Sequence, residues 1–374
     1  MVNALEGLRV VDMATVFAGP GAARHLADFG ADVIKVEPPG GDGVRRMGWF
    51  PPDDVDSYTW KLLNRNKRCI TLDLKASPDI AVMARIVDGA DVLVENLRPG
   101  ALERLGFGPD VLHERNPRLV VLRISGFGQT GPYSAKAGFA TMAEAMSGFA
   151  AMNGEPNGAP LLPPIALTDE VAALAGAFAV MVALRHRDAT GVGQVIDVNL
   201  LESMLQMMSA LPSAAHHLGY DQPRLGSGIP YTVPRGTFQC SDGKWVAVST
   251  SAESVAARVL ALVGVGDDVR FTSFAGRSEH RDELNAVVTA WIAQRTSGEV
   301  IAAFEAAQAA IAPVYSMTEL LRDPHVVDRE IVAVFDGVAQ QQAVARLSES
   351  PAEVRHVGKS INADGDNIRQ NPWP

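Results

Sequence analysis

Three groups of residues in this sequence have types and spacings that suit chemistry. The first is Thr168-Asp169-Glu170, two carboxylates directly before an almost wholly apolar run that reads as a helix. Acidic residues at a helix start offset the macrodipole and cap free N–H groups. The same placement has a second use. A carboxylate there, facing a cleft, is a nucleophile for an activated carbonyl, with backbone donors beside it for the oxyanion. The second group is basic: Asn64-Arg65-Asn66-Lys67-Arg68, then Lys75, Arg98 and Arg104. All lie near predicted strand ends or the loops after them. In an acidic chain such a focus suits phosphate groups; the other reading is a solvated face with ordinary ion pairs. The third is Gly19 and Gly21 after a strand, with Glu37 closing the next strand. That invites a dinucleotide site, but seven residues separate Val11 from Gly19, and neither glycine belongs to a GxGxxG. The eight histidines form no HxxxH or HExxH pattern, and His216 and His217 are adjacent, so they diverge on a helix. GxSxG elbows, Walker loops and CxxC pairs are absent from the sequence.

These residues need elements to position them. Short apolar runs at 8–11, 33–36, 70–74, 92–94 and 119–124 read as buried strands. Helices are expected between them, at 20–29, where Pro20 stands early, and at 77–87, opened by Ser77-Pro78. Strands that are apolar throughout, alternating with helices, predict a parallel sheet covered on both faces. That is a doubly wound α/β domain, whose ligands bind at the carboxyl ends of strands. Helices are expected at 141–149, 168–187 and 200–218, with a turn at Thr190–Gly193 and a strand at 194–198. After Tyr220, Pro223, Gly226, Gly228, Pro230, Pro234 and Gly236 read as a linker. A hairpin follows, 237–240 and 245–249 around Ser241-Asp242-Gly243, then helices near 252–263, 282–294 and 298–309. This predicts a smaller second domain. The tail reads as a strand at 331–335, then polar coil.

Composition narrows the function. The chain has 374 residues, enough for two or three domains at roughly 150 each. Hydrophobic residues are 47% and charged ones 20%, which excludes global disorder. With 33 basic and 43 acidic residues the net charge is −10, which argues against nucleic acid as a partner. Two cysteines, Cys69 and Cys240, exclude a disulfide scaffold and a four-thiolate zinc site. The N-terminus lacks the pattern of a signal peptide. The longest apolar run, 171–184, falls short of the ~20 residues of a membrane span. Together these predict a soluble cytoplasmic protein.

The opening LEGLRVVDMATVFAGPGAARHLADFGADVIKVEPPGGD resembles the start of the class III CoA-transferases. That family includes formyl-CoA transferase, carnitine CoA-transferase and, by divergence, alpha-methylacyl-CoA racemase. The resemblance continues through NRNKRCITLDLK, VENLRPGALERLGF, ISGFGQTGPY, TGVGQVIDVNL, residues 238–248 and IAPVYSMTELLRDPHV. No one motif is decisive, but the ordered set spans nearly the whole chain.

The resemblance implies a Rossmann-like large domain from residues 1–200 and 330–374. It implies a small α+β domain at 225–312, with linkers at 201–224 and 313–329, and a homodimer whose chains interlock like rings. It places the catalytic carboxylate on Asp169. It places coenzyme A, carried as the acyl-CoA co-substrate, against Val16, Leu72, Leu74, Lys75, Asn96, Arg98 and Arg104. A carboxylic acid is the acceptor, and no metal is required. Thr15, Phe17, Phe139, Met142 and Glu144 would line the substrate pocket. Departures bear on substrate. Phe139 stands where racemase-type members carry histidine, which leaves two-base epimerisation without one base. Formyl-CoA transferase has histidine at Thr15, glutamine at Phe17 and arginine at Pro38. It has four consecutive glycines where this chain reads Leu225-Gly226-Ser227-Gly228. Oxalate is therefore disfavoured, and Phe17, Phe139 and Met142 suit a larger or less charged acid. Glu144 stands where many relatives have glutamine; it reads either as a solvated helix residue or as a second carboxylate in the site. A non-catalytic acyl-CoA-binding subunit is the remaining alternative.

Overall fold

The computed structural model describes residues 3–373. They form two compact units. One takes the chain up to Gly148, Pro163–Ser209 and everything from Asp328; the other takes Phe149–Leu162 and Ala210–Val327.

The first unit is built on a six-stranded sheet. Its elements run β1 (Arg9–Asp12), α1 (Ala18–Asp28), β2 (Asp32–Glu37), α2 (Tyr58–Leu63), β3 (Lys67–Thr71), α3 (Ser77–Asp88), β4 (Val92–Glu95), α4 (Ala101–Arg104), α5 (Pro109–Arg115), β5 (Val120–Ser125) and α6 (Ala140–Met146). After α7 (Phe149–Met152), which belongs to the other unit, come α8 (Leu167–Thr190), β6 (Val195–Asn199) and α9 (Leu200–Gln206). The strand order is β3-β2-β1-β4-β5-β6, and every neighbouring pair is parallel. The strands are apolar because each face supports its own core. Val10, Val33, Val92, Val120 and Leu122 pack with Ala22, Leu26, Ala173 and Val180 of α1 and α8. Val11, Ile34, Ile70, Leu93 and Val121 pack with Met83, Ile86, Leu102 and Leu112 of α3, α4 and α5. The strand order changes direction between β1 and β4, where loops diverge and open a crevice at the carboxyl edge.

By length and composition alone α8 could cross a membrane. Ala172, Ala173, Gly176, Val180, Ala183 and Leu184 instead bury one of its faces. Leu174, Phe178, Met181 and Val182 stand exposed on another.

The second unit holds α7, α10 (Leu211–Leu218), β7 (Arg235–Gln239), β8 (Trp245–Ser249), α11 (Glu253–Leu262), α12 (Phe274–Glu279), α13 (Arg281–Ala293), α14 (Ser297–Ala306), β9 (Ile311–Pro313), α15 (Met317–Leu320) and α16 (Pro324–Asp328). Its sheet is antiparallel, in the order β7-β8-β9. Phe238, Val246, Val259, Phe271, Leu284, Ile292 and Phe304 form its core.

Two expectations change. The helix expected at 200–218 is two helices, because Ser209 takes a left-handed φ of 53° and Pro212 opens a new first turn. The tail is not plain coil. β10 (Val332–Phe335) and β11 (Val338–Gln341) form a hairpin around Asp336-Gly337, both at positive φ, as a type I′ turn requires. α17 (Gly365–Gln370) follows. Trp373 then lies on Gly89, where a Cβ would meet its ring at 2.4 Å, and its indole N–H donates to Ile86 O at 2.8 Å.

Candidate active site

The carboxyl edge of the first unit's sheet gathers most of the residues singled out in the sequence. β1 ends at Asp12, and Met13–Phe17 carry the chain to α1. Asn96, just past β4, reaches across the crevice between the two strands. Its Oδ1 accepts from the Thr15 N–H at 2.8 Å and its Nδ2 donates to Thr15 O at 2.7 Å. Gly19 lets α1 start this close: a Cβ there would fall 2.2 Å from Ala14 Cβ. Val16 takes φ 66°, an outlier for a β-branched residue. Phe17 leans onto Val44, Trp60, Leu63 and Cys69.

The basic residues divide into two sets. Arg65 is buried and doubly bonded to Asp28 at 2.9 and 2.7 Å, Lys67 donates to Asp12 at 2.8 Å, and Arg68 pairs with Asp32 at 2.7 Å. These cations hold the first unit together and are not offered to a ligand. Glu37 is also spoken for, by a bidentate pair with Arg45 at 2.7 Å on each oxygen. Lys75, Arg98 and Arg104 differ: they are exposed and carry no ion pair among the described residues. Lys75 follows β3 and Arg98 follows β4, three strand positions apart in the sheet. Leu72 is buried in the sheet core and Leu74 packs partly against it, so neither side chain stands free.

Two residues unnoticed in the sequence brace this edge. Glu95, at the end of β4, accepts from Arg123 Nε at 2.7 Å and from the Leu97 N–H at 2.6 Å. Arg123 also reaches Glu103 on α4 at 2.9 Å. The loop carrying Asn96 and Arg98 and the helix carrying Arg104 are thereby tied to β4 and β5. Burial pushes the Glu95 carboxyl above its ordinary range, against Arg123.

Asp169 lies in the first turn of α8. It is partly buried and has no hydrogen bond or ion pair among the described residues. Burial, then Glu144 and Glu170, push its pKa up from 3.8 to about 6. Glu144 on α6 is buried, and its Oε1 accepts from Thr168 Oγ1 at 3.0 Å, which fixes a second carboxylate beside the first. Glu170 turns to Arg24 on α1 at 3.3 Å. α6 owes its position to Gly138, where a Cβ would come within 2.7 Å of Gly126 Cα just past β5. Phe139, just before α6, and Met142 on it stand exposed. A carboxylate with free lone pairs and a pKa near 6 is ionised at neutral pH and more basic than an ordinary aspartate. That suits attack on an acyl group.

The model for CoA-transferase family III matches residues 5–364. The chain is 36% identical to succinyl-CoA--D-citramalate CoA-transferase of Chloroflexus aurantiacus, over 96% of this chain and 91% of that one. It is 38% identical to the beta subunit of succinyl-CoA--L-malate CoA-transferase of the same organism, over 97% and 93%. It is 32% identical to human succinyl-CoA:glutarate CoA-transferase, over 95% and 81%. Among solved structures it resembles a CAIB/BAIF family protein from Brucella suis, with a TM-score of 0.88, 29% identity and 99% of each chain covered. This chain belongs to CoA-transferase family III and is a CoA-transferase.

Proposed function

We propose that this enzyme moves CoA from an acyl-CoA donor to a carboxylic acid through a thioester on Asp169. The observation that carries the reading is Asp169 itself: a first-turn carboxylate, unpaired, with its pKa raised to about 6. The Asp169 carboxylate attacks the donor thioester carbonyl. The C–S bond breaks, CoA leaves as thiolate, and Asp169 holds a mixed anhydride. The thiolate then attacks the Asp169 carbonyl and expels the donor acid, leaving an aspartyl-CoA thioester. The acceptor carboxylate repeats both steps in reverse order, and Asp169 is regenerated with no net proton change. Covalent catalysis divides one difficult exchange into easier ones. Free N–H groups in the first turn of α8 would steady each oxyanion, at about 3 kcal/mol per donor.

Lys75, Arg98 and Arg104 would bind the CoA phosphates. Val16 and Asn96 would border the ligand at the crevice, with Leu72 and Leu74 contributing backbone. Thr15, Phe17, Phe139, Met142 and Glu144 would shape the acid pocket. The relatives' names make succinyl-CoA the first donor to test, and malate, citramalate and glutarate the first acceptors. The exposed Leu174–Val182 face of α8 supports a homodimer in which a second copy covers it.

The test is intact-mass spectrometry after incubation with succinyl-CoA and other donors, followed by hydroxylamine or borohydride trapping. An adduct on Asp169, absent in Asp169→Ala, is expected. Donor binding without an adduct, with deuterium entering the acyl alpha-carbon from heavy water, would establish an epimerase instead. Binding with neither signal would indicate an acyl-CoA-binding subunit.

A further inference from the structure

The crevice loop is held by charges that the proposed exchange does not use. We infer that Asp42, seated by Lys35, is a positioning residue: it fixes the Val16 peptide in a left-handed turn and so sets Thr15 and Phe17 at the crevice. The inference rests on the function proposed above.

Valine rarely adopts a φ of 66°, and the conformation persists only where its surroundings over-determine it. They do here. The Val16 N–H faces both Asp42 oxygens at 3.3 Å. The Ala14 N–H donates to Asp12 Oδ1 at 3.1 Å, and Ala14 O accepts from the Lys35 ammonium. Asn96 takes both polar groups of Thr15. From the Ala14 N–H to the Val16 N–H, every backbone polar group is held by a side chain. Asp42 is itself fixed three ways. Its N–H donates to Glu37 Oε2 at 2.8 Å, its Oδ1 accepts from the Val44 N–H at 3.0 Å, and Lys35 Nζ lies 3.1 Å away. The side chains of Lys35 and Asp42 are wholly removed from solvent.

Burial opposes the Lys35 ammonium, but Asp12, Asp42 and Glu37 outweigh it and raise its pKa. Burial likewise opposes the Asp42 carboxylate, but Lys35 and the two N–H donors hold its pKa down. The pair therefore stays charged. A well-packed apolar pair would serve stability at least as well, so stability alone does not explain its presence. Its distinguishing property is directional: it aims an acceptor at the Val16 N–H and a donor at Ala14 O.

Three variants test this. Asp42→Asn keeps an oxygen for the Val16 and Val44 N–H groups but removes the carboxylate nearest Lys35. Lys35→Met with Asp42→Asn removes both charges and leaves none unpaired. Val16→Gly adopts positive φ without strain and so lessens the need for Asp42. CoA binding is measured by calorimetry, and adduct formation on Asp169 by rapid-quench mass spectrometry. The first two variants should each lose tenfold or more in CoA affinity and in the rate constant over donor concentration, with urea midpoints for the double variant near wild type. In the Val16→Gly background, Asp42→Asn should lose threefold or less. Full affinity in the double variant, or equal losses in both backgrounds, would overturn the inference. Wild type that binds CoA but forms no adduct refutes the exchange reading, and the affinity ratios still decide the role of Asp42. Wild type that does not bind CoA overturns both.

Discussion

Replacing Asp169 by asparagine should make the first unit more stable at neutral pH while abolishing adduct formation. Asp169 is shifted from 3.8 to about 6, first by burial and then by Glu144 and Glu170. The sign follows from linkage. A carboxyl whose folded pKa is raised stabilises the fold below its unfolded pKa, and that stability is lost as pH rises through the folded value. At ~1.36 kcal/mol per unit, the ionised side chain costs about 3 kcal/mol at pH 7.5. The helix N-terminus returns ~0.3–1 kcal/mol to an ionised first-turn carboxylate, so about 2–3 kcal/mol remains. Asparagine has nearly the same shape and no charge, and Asp169 has no protein partner among the described residues to lose. Urea unfolding of both proteins should show the variant ahead by that margin at pH 7.5, with the difference roughly halved at pH 5. A variant that is less stable, or one whose advantage is the same at both pH values, would refute the assignment of Asp169 as a strained carboxylate. A gain of this kind where function is lost is the usual trade between stability and activity.

Glu144→Gln removes the second cause of the Asp169 shift, so the acidic limb of the rate profile should move down from about pH 6 yet stay above 4, because burial persists. An unmoved limb would mean that Glu144 does not face Asp169. Alanine at Lys75, Arg98 or Arg104 should each raise the donor KM five- to fiftyfold with kcat nearly unchanged, and flatten the dependence of KM on salt. A fall in kcat at constant KM would contradict a phosphate-binding role. Gly138→Ala must push α6 away from Gly126, and should lower kcat/KM at least tenfold while costing about 1–3 kcal/mol in urea unfolding. Trp373→Ala should cost about 3–5 kcal/mol, read by denaturation, without changing donor KM.

Much of the sheet was legible because buried parallel strands are written as continuous apolar runs, and five of them stand out between helical segments. The charged residues in and beside those runs were less legible. Asp12, Glu37 and Glu95 close strands, where charge ordinarily meets water, while Lys35 lies inside one and Lys67 opens one. In the structure all are buried, and each finds its partner by folding rather than by spacing: Lys67 meets Asp12 across 55 positions. For the same reason the sequence left two readings of Asn64–Arg68 open, a phosphate site or ordinary ion pairs; Arg65, Lys67 and Arg68 are paired with Asp28, Asp12 and Asp32. Asp169 was legible as a helix-start carboxylate, but its shifted pKa was not. The shift depends on how far α8 is buried and on Glu144 of a separate helix, α6, which accepts from Thr168 beside Asp169. The second hairpin carried a readable signal in Asp336-Gly337 between VAVF and VAQQ, and reading the tail as polar coil passed over it.

The tail also sets a timetable. β3 is an edge of the six-stranded sheet, and its open side is closed by the tail. The Asp364 N–H donates to Cys69 O at 3.0 Å, Asn362 Oδ1 accepts from the Thr71 N–H at 2.9 Å, and Arg369 donates to Thr71 O at 3.1 Å. The Thr71–Asn362 bond joins positions 291 apart. At ~5–20 residues per second, a ribosome makes that stretch in roughly 15–60 s. Throughout that interval the edge strand presents unpaired backbone N–H and C=O groups, which are a template for pairing with another chain. The intervening second unit has its own core and can fold while the first waits. A chain cut short before Asn362 would keep Asp169 and most of its core, yet carry a permanently open edge. Its failure would be one of aggregation during synthesis rather than of chemistry.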